Sequence, residues 1–150
     1  MGTKVHELLA ILDGKGSEKE YAAISELSAL SGEKFSCHLL EFYKVSSKRN
    51  IRATCVYFCF DLAKTSADAK KLGLLALADK SQLVRYRACQ LLAFSQDKSL
   101  LKAMELAREN ISKNSISDLD AAMDAIASQN QHYFKDRQHT GKIFMCIAKL

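Results

Sequence analysis

Apolar residues recur every three to four positions along almost the whole chain, and this helical period is the feature that most restricts the fold. It predicts helical segments at 3–12, 17–32, 33–46, 50–64, 66–79, 82–94, 99–111 and 117–127, and a terminal helix from Ile143. The chain has no proline and only six glycines, so it lacks the turn residues that a β-sandwich or an α/β domain normally uses. The sequence therefore predicts an all-α domain spanning 1–150.

The same pattern predicts where helices start and which faces point inward. Ser17 is followed by Glu20 three residues later, which predicts a capping box, and Thr3, Ser66 and Ser117 are further predicted N-caps. The expected inward faces include Tyr21 in the second segment and Leu75 in the fifth.

A short sequence pattern returns along the chain at nearly fixed spacing. The stretch 51–59 has Ile-Arg-x-x-Cys-x-x-Phe-Cys, and 33 residues later 84–92 has Val-Arg-x-x-Ala-x-x-Leu-Leu. A fainter copy begins at Leu119, and each copy follows another amphipathic helix. Periodic helices alone would also suit an ordinary bundle, but the returning pattern favours stacked helical hairpins. We expect an α-solenoid of about three to four hairpins, with eight to nine helices.

The best of these copies resembles a HEAT repeat. The stretch LGLLALADKSQLVRYRACQLL at 72–92 has an apolar first helix, Asp79 in the turn, and Val-Arg opening the second helix. The resemblance covers 66–95 best, is weaker over 36–65 and is faint over 99–128.

This resemblance implies a structural role for three polar residues. In HEAT repeats the turn Asp and the second-helix Arg form a ladder between neighbouring repeats, and the corresponding residues are Arg52, Asp79 and Arg85. The turn at 46–50 has no Asp, and Asp120 stands in place of the Arg of the third copy. The ladder is therefore expected to fail at the third copy.

Catalytic and metal-binding patterns are weak in the sequence, and the Ser-x-x-Lys spacings at 31–34 and 99–102 are better explained by chance. The four histidines are scattered and show no metal-binding spacing. Cys55 and Cys59 lie four residues apart, with Cys37 and His38 on the preceding helix, which is a spacing that zinc accepts. The equivalent positions of the next copy hold Ala88 and Leu92, so both cysteines are expected to be core residues. We predict no enzyme activity, no cofactor and no metal.

Charge is concentrated in the middle of the chain. The net charge is +5, and residues 51–100 hold eight basic and four acidic groups. Lys48 and Arg49 belong to a basic run with no acid between Glu41 and Asp61. A basic stripe suits an acidic protein surface, and it also suits nucleic acid.

Candidate binding residues lie on the second helices, which line the concave face of such a solenoid. With the repeat pattern facing inward, several polar and aromatic side chains lie off the core stripe, and aromatic residues with Arg are typical of binding hot spots. The candidate partner-binding residues are Tyr57, Asp61, Tyr86, Arg87, Gln90, Lys48 and Arg49. The polar stretch 129–141 is either a binding loop or an exposed connection.

Short stand-alone HEAT-like chains of this kind resemble bacterial immunity proteins, which bind a cognate toxin domain and block its active site. The resemblance implies a non-catalytic protein-binding module whose partner is a toxin domain with an acidic patch. The alternatives are a scaffold or adaptor, a nucleic-acid-binding protein of the HEAT-like DNA-repair type with a basic groove, and a HEAT-like chromophore lyase or its helper subunit. The chain shows no export signal and no long apolar run, so we expect a cytoplasmic protein without a membrane partner.

Overall fold

The computed structural model describes residues 2–142, and this part of the chain is helical without any strand. The α-helices are α1 (Gly2–Ala10), α2 (Glu18–Ser31), α3 (Phe35–Val45), α4 (Arg49–Tyr57), α5 (Ala67–Ala76), α6 (Gln82–Ser95), α7 (Leu101–Ala107) and α8 (Ile116–Ala127). Short 3₁₀ segments lie at Gly32–Lys34, Phe60–Leu62, Lys98–Leu100, Lys113–Ser115 and Gln131–Phe134. The all-α prediction is confirmed. The terminal helix expected from Ile143 lies outside the described residues, so the total of eight to nine helices stays a prediction.

Two of the four predicted N-caps are present, at Ser17 and Ser66. The other two are wrong, because Thr3 lies inside α1 and Ser117 lies inside α8, after its N-cap Ser115. Ser17 Oγ accepts the backbone N–H of Glu20 at 3.2 Å, and Ser66 Oγ accepts that of Ala69 at 3.1 Å. The other half of the predicted capping box is wrong, because the Glu20 carboxylate binds backbone N–H groups of the loop before Ser17. A side chain expected to close a helix end therefore shapes a loop instead.

The helices contact one another mainly as sequence neighbours and as alternate elements. α1 contacts α2, α3 contacts α4, α5 contacts α6, and α7 contacts α8. α4 packs against α6 and α6 packs against α8, while α3 packs against α5. Helices α4, α6 and α8 thus follow one another side by side, and surfaces between α4 and α6 are built from two copies of the returning pattern.

The core is centred on α6. Its apolar face consists of Val84, Ala88, Leu91 and Leu92, all fully buried as the repeat pattern predicts. α5 approaches this face closely at Gly73, where an added Cβ would lie 2.9 Å from Cδ2 of Leu92. The small residue therefore sets the distance between the two helices.

Helix α4 is shorter than predicted. It ends at Tyr57 instead of continuing to Lys64, and the chain goes on in tightened turns, with N–H groups bonding three residues back, as from Cys59 to Val56. Tightened turns of three residues keep Cys59 and Ala63 on the buried side. A regular α-helix and these three-residue turns therefore place apolar residues at similar spacings, so the sequence pattern did not show where α4 ends.

Two large side chains that the apolar period assigns to the core are exposed. Tyr21 is 48% exposed and Leu75 is 44% exposed. Leu75 lies on the rim of a surface depression beside Tyr43 and Lys80. Tyr21 packs only the edge of its ring, against Phe58 with the centroids 5.4 Å apart. Both residues lie at the margin of the apolar stripe, where the period does not separate core from rim.

Candidate functional site

Arg52 and Asp79 form a buried ion pair between two hairpin turns. Arg52 donates from Nε to Oδ2 of Asp79 at 2.8 Å and from NH2 to Oδ1 at 3.1 Å, and the two side chains are 8% and 4% exposed. Tyr43 donates its hydroxyl to Oδ2 at 2.6 Å, and Arg52 NH1 donates to the carbonyl of Ser47 at 2.8 Å. All three guanidinium nitrogens of Arg52 therefore have acceptors. We name this group of three side chains the Asp79 cluster (Tyr43, Arg52, Asp79).

Hydrogen bonding determines the charge state of this cluster. Burial by itself raises the pKa of Asp79, but the hydrogen bonds from Arg52, Tyr43 and the N–H of Ser81 outweigh it, and the pKa lies below its ordinary value. The pKa of Tyr43 is raised by burial and by its hydrogen bond to Asp79. The cluster is consequently an ionised carboxylate surrounded by donors.

Arg85 extends the polar contacts to the next turn without a carboxylate. It donates to the backbone carbonyl of Asp79 at 2.8 Å, to Oγ of Ser115 at 2.7 Å and to Oδ1 of Asn114 at 3.0 Å. Arg85 is buried, and each of its three nitrogens has a neutral oxygen as its acceptor. The three residues expected to form a ladder thus connect the turns near 47, 79 and 115.

The basic stripe is partly neutralised. Lys44 pairs with Glu41 at 3.2 Å and Lys70 with Asp97 at 2.9 Å, in addition to the pair made by Arg52. Lys48 and Arg49 are exposed at the start of α4 and form no ion pair within residues 2–142. Three cations of the stripe are therefore paired with carboxylates, whereas Lys48 and Arg49 remain available to a partner.

The loop between α1 and α2 is fixed by a buried carboxylate. Glu20 is 1% exposed, and its oxygens accept the N–H groups of Asp13 at 2.9 Å, Gly14 at 2.6 Å and Gly16 at 3.2 Å. Gly14 has φ +71°, and a Cβ there would lie 2.6 Å from the backbone carbon of Asn50. The loop therefore rests directly on the first turn of α4.

This loop, α4 and α6 enclose a cleft of about 330 Å³. It is lined by Gly14, Lys15, Gly16, Glu20, Tyr21, Thr54, Tyr57, Phe58 and Arg87. We call it the Arg87 cleft. Two of the predicted binding residues, Tyr57 and Arg87, belong to it.

Arg87 is held in place but uses little of its hydrogen-bonding capacity. Its guanidinium lies over the ring of Tyr57, 5.2 Å from the centroid, and NH1 donates to the carbonyl of Ala53 at 3.2 Å. A guanidinium has five N–H donors, and the other four have no acceptor among residues 2–142. Arg87 is only partly buried and lines the cleft, so these donors are accessible to a ligand there.

The ring of Tyr57, which contacts the Arg87 guanidinium, is itself packed against two phenylalanine rings. Its ring lies 5.1 Å from Phe58 and 5.3 Å from Phe60, centroid to centroid, yet it stays 40% exposed. A hydrogen bond with Tyr21, together with burial, raises the pKa of Tyr57. The sequence missed Tyr21 as a site residue because its period assigned the side chain to the core.

The remaining predicted binding residues do not line the cleft. Tyr86 and Gln90 are partly buried, and the Tyr86 ring packs against Phe134 with centroids 5.2 Å apart. Asp61 is exposed beyond the end of α4. The structure instead adds Thr54 and the loop to Tyr57 and Arg87. The isolated Gly14-Lys15-Gly16 tripeptide was the sequence signal for the loop.

Three of the four cysteines in residues 2–142 are core residues, and the fourth, Cys37, is partly buried. Cys55, Cys59 and Cys89 are fully buried, and burial raises the pKa of each thiol, for Cys59 and Cys89 to about 12. Residues 2–142 contain no group of three or more His, Cys, Asp or Glu side chains placed to hold a metal ion.

Comparison of the chain with protein-family models, with curated proteins and with solved structures finds no match. Within the described residues, no helix has the length and apolar character needed to cross a membrane.

Proposed function

We propose that this protein is a HEAT-like α-solenoid that acts in the cytoplasm as a non-catalytic protein-binding module. The succession of α4, α6 and α8 supports this, since each of these helices follows a first helix and carries one copy of the returning pattern. The contacts of Arg52, Asp79 and Arg85 between successive turns support it further. A solenoid of this size offers a surface for recognition.

The observation that carries the binding role is the state of Arg87. A partly buried arginine stacked on an exposed tyrosine, with four N–H donors unused, has the composition and placement of an interface hot spot. A buried arginine that only stabilised the fold would have its donors satisfied, as those of Arg52 are. We therefore assign the protein-binding surface to the Arg87 cleft and the adjoining Lys48 and Arg49.

The specific role we propose is that of an immunity protein. The chain would bind an acidic patch on a toxin domain and cover the active site of that domain, so inhibition would be steric. The exposed cations Lys15, Lys48 and Arg49 would accelerate the encounter with such a patch.

The test is affinity capture from a lysate of the native host, with the full chain as bait and with nuclease added. The buffer contains about 0.3 M salt, because at that concentration interactions between exposed charges are largely screened. We expect one stoichiometric protein with wild type and with Lys102→Gln, an exposed-charge control on α7. We expect its loss with Tyr57→Ala. The captured protein should inhibit growth when expressed alone and not when co-expressed with this chain. Capture of a protein that is harmless alone would overturn the immunity role and leave a scaffold or adaptor.

Nucleic-acid binding is a second candidate, favoured by the exposed and unpaired Lys48 and Arg49. Phosphate contacts would make binding fall steeply as salt rises. Recovery of nucleic acid at low salt, without any protein at 0.3 M salt in the same capture assay, would replace the protein-binding proposal.

A further inference from the structure

The Arg87 cleft contains a second donor without a partner. Thr54 is 4% exposed and lines the cleft, and its hydroxyl makes no hydrogen bond within residues 2–142. The Thr54 hydroxyl oxygen is not among the fully buried atoms that lack a partner, so it is accessible to solvent or to a ligand. Here the hydroxyl opens on the same cleft as the four unused N–H groups of Arg87.

Repeat geometry explains why these two donors meet. Thr54 and Arg87 are 33 residues apart, the same offset that separates the two copies of the returning pattern, so they occupy equivalent positions on α4 and α6. Adjacent helices bring equivalent positions side by side, and Arg87 donates to the carbonyl of Ala53, next to Thr54.

The charge of the cleft limits what it accepts. Lys15 and Arg87 contribute two positive charges to its lining and Glu20 contributes one negative charge. Glu20 is already satisfied by three backbone N–H groups of the loop, so it neither pairs with Arg87 nor leaves loop amides free for a ligand. The lining therefore carries a net charge of +1, which one monovalent anion such as a carboxylate neutralises.

We propose that the Arg87 cleft is a carboxylate subsite that takes one Asp or Glu side chain of the protein partner. Arg87 binds the carboxylate through its free N–H groups, Thr54 donates its hydroxyl to the same group, and the Tyr57 ring keeps the guanidinium in place. Arginine and carboxylate match geometrically, which gives the pair directional specificity. This assignment rests on the proposed protein-binding function and adds the chemistry of its central contact.

The subsite can be tested without the partner, by NMR titration of the full chain with a capped peptide, acetyl-Gly-Ser-Asp-Ser-Gly-amide. The reporters are the side-chain Nε–H of Arg87 and the backbone N–H of Gly16. We expect saturable shifts with a dissociation constant of about 1–10 mM, the range of a few isolated contacts. The matched Asn peptide should cause no saturable shift.

Variants separate the two donors. Thr54→Val keeps the shape of the side chain but removes the hydroxyl, and we expect about fivefold to tenfold weaker binding of the Asp peptide. With Arg87→Gln the saturable shift of Gly16 should disappear, whereas Lys102→Gln should bind as wild type does. Unchanged amide spectra away from the cleft will show that the variants remain folded.

Two results would overturn the subsite. One is the absence of a saturable Arg87 shift with the Asp peptide, and the other is inorganic phosphate binding as tightly as that peptide or more tightly. Either result would overturn the subsite only, because the capture assay tests protein binding separately. Conversely, if the Asp peptide binds as expected but no protein is captured, the proposed function is overturned and the subsite is not.

Discussion

Arg52 and Arg87 lie on adjacent helices, and they are used in opposite ways. Arg52 is 8% exposed, and each of its nitrogens donates to an oxygen of a neighbouring turn. Arg87 is held by one hydrogen bond and the Tyr57 ring, and its other donors have no acceptor among the described residues. An arginine that stabilises the fold therefore has acceptors at its nitrogens, whereas an arginine that is available to a ligand has donors without an acceptor.

The largest effect is expected at the Asp79 cluster. Asp79→Ala leaves the Arg52 guanidinium buried without a counter-charge, so the free energy of unfolding should fall by about 3–5 kcal/mol. Chemical denaturation monitored by circular dichroism measures it. A loss below about 1 kcal/mol would show that the pair behaves like an exposed salt bridge.

The rate at which Cys55 reacts should also report the destabilisation caused by Asp79→Ala. Burial raises the pKa of the Cys55 thiol on α4 and keeps it from reagents, so native Cys55 should react far more slowly with a thiol reagent at pH 8 than partly buried Cys37 does. Asp79→Ala should accelerate the labelling of Cys55, while Arg87→Gln should not. Equal acceleration in both variants, read by mass spectrometry of tryptic peptides, would mean that Arg87 also holds α4.

An intermediate effect is expected at the wall of the cleft. Gly14→Ala forces a side chain into a conformation with positive φ and against the backbone of Asn50, so we expect a loss of about 1–3 kcal/mol in unfolding free energy. Gly16→Ala is the matched control, since its φ is also positive but its added Cβ only reaches the Tyr21 ring at 3.9 Å. If Gly16→Ala destabilised the protein as much as Gly14→Ala, the contact with α4 would contribute nothing beyond backbone strain.

Acid should weaken the hydrogen-bonded carboxylates. Hydrogen bonds from Ser99 and then Lys70 lower the pKa of Asp97 to about 2, so its contribution to stability is complete above about pH 4 and is lost as the pH falls towards 2. Asp97→Asn should therefore flatten the pH dependence of the unfolding free energy between pH 4 and 2. A pH dependence identical to that of wild type would contradict the shift.

Much of the fold could be predicted from the sequence because burial imposes its period on the apolar residues. The face of α6 from Val84 to Leu92 is one example, and the N-caps Ser17 and Ser66 are another, since capping depends on neighbours in the chain. Tyr21 could not be placed in this way, because a residue at the edge of the stripe packs on one side only.

The candidate site was only partly accessible to sequence reasoning. Tyr57 and Arg87 could be found from their position off the core stripe, but Thr54 could not, because a threonine inside a helix carries no signal. Whether a donor has an acceptor depends on the neighbouring helix and on the loop held by Glu20. Arg52 and Arg87 therefore look alike in the sequence.

The most direct test of the account is the affinity of Arg87→Gln for the captured partner, measured beside its stability. The account predicts that the free energy of unfolding changes by less than about 2 kcal/mol, since one cation–π contact and one hydrogen bond to the Ala53 carbonyl are lost. It predicts that partner binding weakens about thirtyfold, the effect of losing a hot spot of roughly 2 kcal/mol. Lys102→Gln should change neither quantity. Wild-type affinity in Arg87→Gln, or a loss of stability as large as that of Asp79→Ala, would contradict the distinction between the two arginines.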